Sequence, residues 1–159
     1  MPDMLAKLYG LPDVTAERDR LASEGVVCRR AESYERDDAL RFIRERWPRW
    51  ADEGAAAFAR VPPTMFIAVV GGRVAGFAAY NATRPDYFGP TGVDEPHRNR
   101  GIARVLLVQC LEALAAEGYA YAIIGGVGPA AFYEKAVGAT VIPGSDPGIY
   151  RNRLRASTD

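Results

Sequence analysis

The residues Arg98 to Ala103, Arg-Asn-Arg-Gly-Ile-Ala, are the part of this chain whose types and spacing best suit chemistry. They follow a short apolar run ending at Val93 and open a segment with helical apolar spacing, so Gly101 marks a tight turn at a helix start. The first N–H groups of a helix lack intrahelical partners and lie at the positive end of its dipole, which suits a phosphate or pyrophosphate. The N–H groups from Asn99 to Arg104, through Ile102 and Ala103, would form the cradle, and the guanidinium of Arg98 or Arg100 would add charge-assisted hydrogen bonds.

Other chemistries find less support. Gly126-Val127-Gly128-Pro129-Ala130-Ala131 follows a strand pattern, opens a helix pattern and matches a dinucleotide fingerprint, with Asp146 twenty residues after Gly126. Too little chain follows it for a second mononucleotide half, and Pro143-Gly144 interrupts the strand that would carry the acid. His97 is the only histidine, no His/Cys cluster has metal-ligand spacing, and no serine sits in a Gly-x-Ser-x-Gly turn. No metal is therefore expected.

The elements that would position the turn read as an alternation of strands and helices. Residues 4–11 are a short, mildly apolar lead-in, and Asp13 caps a helix to about Glu24, stopped by Gly25. Residues 1–25 read as an N-terminal extension packed on the domain, and 26–159 as the domain itself. Val26 to Ala31 has strand composition. Helices are expected over Asp37 to Trp47, before Pro48, and over Trp50 to Arg60. Thr64 to Val70 and Arg73 to Ala82 form a hairpin about Gly71-Gly72, a pair that accepts positive φ. Tyr87 to Val93 is a third strand, and Gly89-Pro90 predicts a bulge in it, because proline donates no ladder hydrogen bond. Ala103, Leu106, Leu107, Cys110, Leu111 and Leu114 share one helix face, which Gly118 closes. A strand over Tyr119 to Ile124, a helix over Pro129 to Ala136, and a terminal strand pair, Ala139 to Ile142 with Ile149 to Leu154, complete the pattern; Arg151, Arg153 and Arg155 then read as a charged, solvated edge. The whole is an α/β chain with a mixed, mostly antiparallel sheet and helices on both faces.

Size and charge narrow the partners. At 159 residues one core is expected, and a formal net charge of +0 gives no electrostatic attraction for nucleic acid or an anionic membrane. No run approaches the roughly 20 apolar residues of a membrane span. With no leader-like start and two cysteines, Cys28 and Cys110, in apolar patterns, a cytoplasmic protein with free thiols is the expectation.

Arg98-x-x-Gly101-x-Ala103 resembles the Arg/Gln-x-x-Gly-x-Gly/Ala signature of the GNAT N-acetyltransferases, and Phe132-Tyr133-Glu134-Lys135 followed by Gly138-Ala139 resembles the family's segment after the fifth strand. The resemblance covers about Val26 to Leu154. It implies the GNAT fold, acetyl-coenzyme A as co-substrate with its pyrophosphate on the turn, and direct attack of a small-molecule or protein amine in a ternary complex. It implies Tyr133 as donor to the leaving sulfur, beside Phe132, and a backbone N–H near Val93 polarising the acetyl carbonyl, while Thr91, Gly92 and Val93 pair with the pantetheine arm. Many members carry an asparagine seven residues before the tyrosine; here that residue is Gly126. Trp47 and Trp50 would border the acceptor, and Asp94, Glu95 and Asp86 stand near enough to relay its proton. Many GNAT domains also pair as homodimers. A domain of this kind that binds an acyl-coenzyme A without turnover, as a sensor, has the same motifs.

Overall fold

In the computed structural model, residues 1–155 are described; the last four residues of the expected 26–159 unit lie outside them. Seven strands form one sheet in the order β2-β3-β4-β5-β6-β1-β7. The strands are β1 (Met4–Lys7), β2 (Val26–Arg30), β3 (Met65–Val70), β4 (Arg73–Tyr80), β5 (Tyr87–Val93), β6 (Tyr121–Ile124) and β7 (Thr140–Val141). Helices α1 (Thr15–Ser23), α4 (Ile102–Ala116) and α5 (Ala130–Val137) cover one face, and α2 (Arg36–Arg46) and α3 (Ala51–Ala56) the other. No helix among the described residues is long and apolar enough to cross a membrane.

Burial on both faces explains why β3 and β4 are apolar almost throughout. Ala78 and Tyr80 of β4 face the α4 layer, while Phe77 and Ala79 between them face α2 and α3. The hairpin forms about Gly71 and Gly72, at φ +56° and +74°. Helix α4 buries Leu106, Leu107, Cys110, Leu111 and Leu114 as its spacing predicts, and both cysteines are free and buried.

Three local expectations change. Residues 4–7 are a strand inside the sheet, paired antiparallel with β6 and with β7 (Met4 opposite Ile124 and Val141). Residues 149–154 pair with no strand, although β7 has β1 on one side only. They follow a single tight turn, Gly148–Tyr150, instead of the expected terminal strand, so the alternating arginines mark no sheet edge. The helix expected from Trp50 to Arg60 is shorter, ending at Ala56.

The feature that positions the site is a splay. Strands β5 and β6 are parallel and pair only at Tyr87–Ile123 and Phe88–Ile124. Beyond this β6 ends and β5 continues to Val93. On its other side β5 carries the predicted bulge: Ala78 opposes Thr91 and Tyr80 opposes Phe88, so Gly89 and Pro90 stand together against Ala79.

Candidate active site

The splay opens a cleft of about 1290 Å³ through the sheet. Its first wall is the turn before α4. Asp94 caps a short turn over Glu95–His97, Asn99 takes φ +59°, and Gly101 takes φ +89° as the N-cap of α4. Arg98, Asn99, Gly101, Ile102, Ala103 and Arg104 line the cleft, with the unpaired N–H groups of the first α4 turn among them. The Arg98 Nε donates to the Val93 carbonyl at 3.1 Å, tying the turn to the end of β5.

Helix α1 braces this turn from behind. Arg20 Nη2 donates to the Arg100 carbonyl at 2.8 Å, Arg100 Nη2 reaches Glu24 at 3.2 Å, and Arg104 pairs with Glu17. Arg100 also donates to His97 Nδ1 at 3.3 Å, so that nitrogen is the acceptor and the ring proton belongs on Nε2. Arg100 is therefore a brace rather than a cleft residue, in contrast to its expected role. His97 does border the cleft.

The second wall is β5. Thr91, Gly92 and Val93 all reach the cleft, and the Thr91 hydroxyl donates to the Phe77 carbonyl at 2.9 Å. On the β6 side no strand continues the ladder past Phe88, which leaves an edge that an extended ligand could join. Trp47 packs onto Gly92, and Trp47 and Trp50 both contact Phe77. The two tryptophans are at once anchors of the α2/α3 core and cleft walls.

Tyr133 enters from α5, packed edge-on against Phe88 and Phe132 with ring centroids 6.2 and 5.0 Å away. Phe132 and Tyr133 both line the cleft. Burial pushes the Tyr133 phenol up to about 12, so it stays protonated near neutral pH and keeps its O–H as a hydrogen-bond donor. Asp94 is placed differently from expectation. It is not a cleft residue: both carboxylate oxygens accept from Arg46, at 2.9 and 3.1 Å, and this pairing holds its carboxyl below the ordinary range.

Several residues that sequence reasoning did not mark complete the far end. Arg49 and Glu53 come from the α2–α3 region, Thr83 from the β4–β5 loop, and Tyr150 and Arg153 from the final turn. Tyr150 is set over Gly125 and Gly126, where an added Cβ would fall 3.7 and 3.5 Å from its side chain. No local pattern announces this group, because three separate segments assemble it. Gly126, at the family's asparagine position, donates its N–H to Asp3 Oδ1 at 2.8 Å. A carboxylate on that amide leaves no anion cradle there, which removes the dinucleotide reading. The turn before α4 thus lies on the α4 face and Glu53 on the α3 face, and the splay joins them. Among the described residues, no group of three or more His, Cys, Asp or Glu is placed to hold a metal.

Comparison with known proteins agrees with this architecture. The Acetyltransferase (GNAT) family model matches residues 28–139. No curated protein sequence matches the chain. Among solved structures, the GCN5-related glucosamine N-acetyltransferase region of a fungal multi-domain GH3 β-N-acetylglucosaminidase superposes with a TM-score of 0.71 at 14% identity, over 89% of this chain and 19% of that one. A GCN5-related N-acetyltransferase from Sphaerobacter thermophilus gives 0.67 at 19% identity, over 89% and 48%. A GCN5-related N-acetyltransferase-like protein from Streptococcus suis gives 0.58 at 12%, over 88% and 57%. The chain thus spans between about a fifth and three fifths of these proteins' lengths, and at such identities the likeness is one of fold. With the family match covering most of the chain and both motifs on one cleft, the protein belongs to the GNAT acetyltransferase family.

Proposed function

We propose that the chain transfers an acetyl group from acetyl-coenzyme A to a primary amine by direct attack within a ternary complex. The observation that carries this reading is the placement of the Arg98–Arg104 turn and Tyr133 on the two sides of one cleft, with the open edge of β5 between them. The α4 N–H groups and Arg98 hold the pyrophosphate, and Thr91 to Val93 take the pantetheine arm as an added strand. An N–H at the end of β5 near Val93 stabilises the charge growing on the acetyl oxygen. The neutral amine attacks the carbonyl carbon, the carbon–sulfur bond breaks, and the sulfur leaves as a thiolate hydrogen-bonded by Tyr133. The amine's surplus proton leaves to water, so the products are an amide, free coenzyme A and a proton. A phenol at about 12 keeps its proton against a thiol near ~8.5, so Tyr133 acts by hydrogen bonding rather than by proton transfer.

The test is coenzyme A calorimetry combined with release of free thiol from acetyl-coenzyme A across a panel of amines. Binding with amine-dependent thiol release is expected. Gly101→Glu, which strains the φ +89° turn and brings a carboxylate to the cradle, should abolish measurable coenzyme binding. Binding that stabilises the protein without thiol release from any amine would point to a sensor; wild-type affinity in Gly101→Glu would remove the pyrophosphate placement.

A further inference from the structure

Among the described residues two acids line the cleft, Glu53 and Asp146, and the fold treats them differently. Asp146 accepts from the Met1 amino group at 2.7 Å with its side chain 58% exposed, so its charge is already paired and screened by water. Glu53 is half-buried, and none of the ion pairs among the described residues includes it. It sits on α3, whose backbone lies directly on α2: a Cβ added to Gly54 would stand 2.9 Å from Ile43 Cδ1 and 3.3 Å from Leu40. The Thr83 hydroxyl donates to Glu53 Oε1 at 2.5 Å, which fixes one oxygen. Oε2 has no protein partner and is not sealed from solvent, so it is open to a ligand. Trp50, one helical turn before Glu53, and Tyr150, from the final turn, line the cleft with it. Tyr150 is held above its ordinary pKa by burial and then by the Glu53 charge, so the two groups are electrostatic neighbours.

A half-buried carboxylate with one fixed oxygen, one free oxygen and aromatic walls is a receptor for an ammonium group: charge-assisted hydrogen bonding holds it and the ring faces attract it. Such a receptor favours the charged form, so an ammonium seated there keeps its proton and is no nucleophile. The amine that attacks the thioester must then be a second group on the same acceptor. Arg49 and Arg153 line this end as well, but both residues are exposed, so solvent and salt screen their charges from a bound ligand. Arg98 and Arg104 stand on the turn before α4, across the splay from Glu53. We infer that the acceptor is a small diamine: Glu53 holds one ammonium beside Trp50 and Tyr150 while the other amine, neutral, attacks the acetyl carbon. The held ammonium passes through the reaction unchanged, and the product is a monoacetylated diamine. The inference rests on the acetyltransferase reading and names the acceptor class for the same site.

The experiment measures thiol release from acetyl-coenzyme A by the full chain with acceptors matched in length: α,ω-diamines of three to six carbons, the corresponding n-alkylamines and the corresponding ω-amino acids. In wild type the best diamine should exceed its monoamine and its amino acid by about tenfold or more in kcat/KM, well above the factor of about two that equivalent ends supply. Glu53→Gln should cut that preference to about threefold or less, mainly through the diamine KM, with coenzyme A affinity by calorimetry within about twofold of wild type. Thr83→Val keeps the charge but frees the carboxylate, and should cut the preference by less; it carries the test should Glu53→Gln fail to fold. Asp146→Asn should also cut it less than Glu53→Gln does. No diamine preference at any length, a preference unchanged in both Glu53→Gln and Thr83→Val, or one governed by Asp146 overturns the inference while leaving acetyl transfer in place. A preference for the ω-amino acids overturns it as well, because Arg49 and Arg153 would then select the acceptor. Wild type that binds coenzyme A but releases no thiol with any amine overturns both.

Discussion

Trp47 lies against Gly92 so closely that a Cβ on Gly92 would stand 2.5 Å from the ring carbon Cη2 and 2.7 and 2.8 Å from Cζ3 and Cζ2. One ring face closes the α2/α3 core and the ring also walls the cleft, so the smallest residue on β5 is required by packing rather than by backbone conformation. Gly92→Ala must push the indole out of its seat among Phe42, Trp50 and Phe77. Overpacking of this kind costs about 1–3 kcal/mol, which denaturant unfolding would register. Trp47→Phe in the same chain should recover part of that loss; additive effects of the two changes would mean that the close contact does not control stability.

Tyr133→Phe keeps the ring contacts with Phe88 and Phe132 and removes only the donor. A hydrogen bond made to a developing thiolate is realised in the transition state, so kcat should fall about ten- to hundredfold while KM for acetyl-coenzyme A hardly moves. The pH dependence follows from burial. A tyrosine in the unfolded chain ionises near ~10, whereas Tyr133 ionises at about 12 when folded, so its contribution to stability is intact below the first value and declines as pH rises through the second. The wild-type rate should therefore show no basic limb from this residue below about pH 10, and Tyr133→Phe should lose less stability than wild type on going from pH 10 to 12. An unchanged kcat would make Tyr133 a packing residue.

What could be read before the structure was what is encoded locally. The Gly71-Gly72 hairpin, the apolar face of α4 and the Gly101 turn each depend on residues within a few positions of one another. Strand β1 could not be read that way. Its four residues are too short for periodicity to show, and they pair with Ile124 and Val141, at the opposite end of the chain. Arg151, Arg153 and Arg155 alternate as in a strand, but they follow the tight turn Gly148–Tyr150 and form none. The cleft divides along the same line. The wall made by the Arg98–Arg104 turn and α5 was legible from one turn and one helix, whereas Glu53, Thr83 and Tyr150 meet only because three separate segments converge at the splay.

Asp94 is adjacent in sequence to the end of β5, yet its carboxylate belongs to Arg46 of α2. The pairing lowers its folded pKa, so the stabilisation is present above the ordinary carboxylate value and is lost as pH falls through the lower, folded value. With side chains 26% and 31% exposed, the pair contributes about 0.5–1 kcal/mol. Asp94→Asn should lose that amount at pH 7 and show a shallower loss of stability on acidification, read from denaturant midpoints at pH 7 and below pH 4. A basic shift in the pH–rate profile of the variant would instead return Asp94 to the proton relay.

Glu17 holds Arg104, the one arginine of the turn that both lines the cleft and is paired to α1. The pair has two opposing consequences for an anionic ligand. The carboxylate orients the guanidinium, which lowers the entropy lost on binding, but its own charge repels a pyrophosphate arriving at the start of α4. Arg104 also extends from the first turn of a fifteen-residue helix packed on the sheet, so its stem is positioned without Glu17. Repulsion should therefore outweigh orientation. Glu17→Gln is expected to tighten coenzyme A binding about three- to tenfold at low ionic strength, by calorimetry, with the gain shrinking as salt shortens the Debye length to about 8 Å at 0.15 M. Weaker binding in Glu17→Gln at every salt concentration would reverse the ranking and make Glu17 a positioning residue for the coenzyme. Arg104→Gln would then bind at least as weakly as Glu17→Gln, since Glu17 would have acted only through the guanidinium.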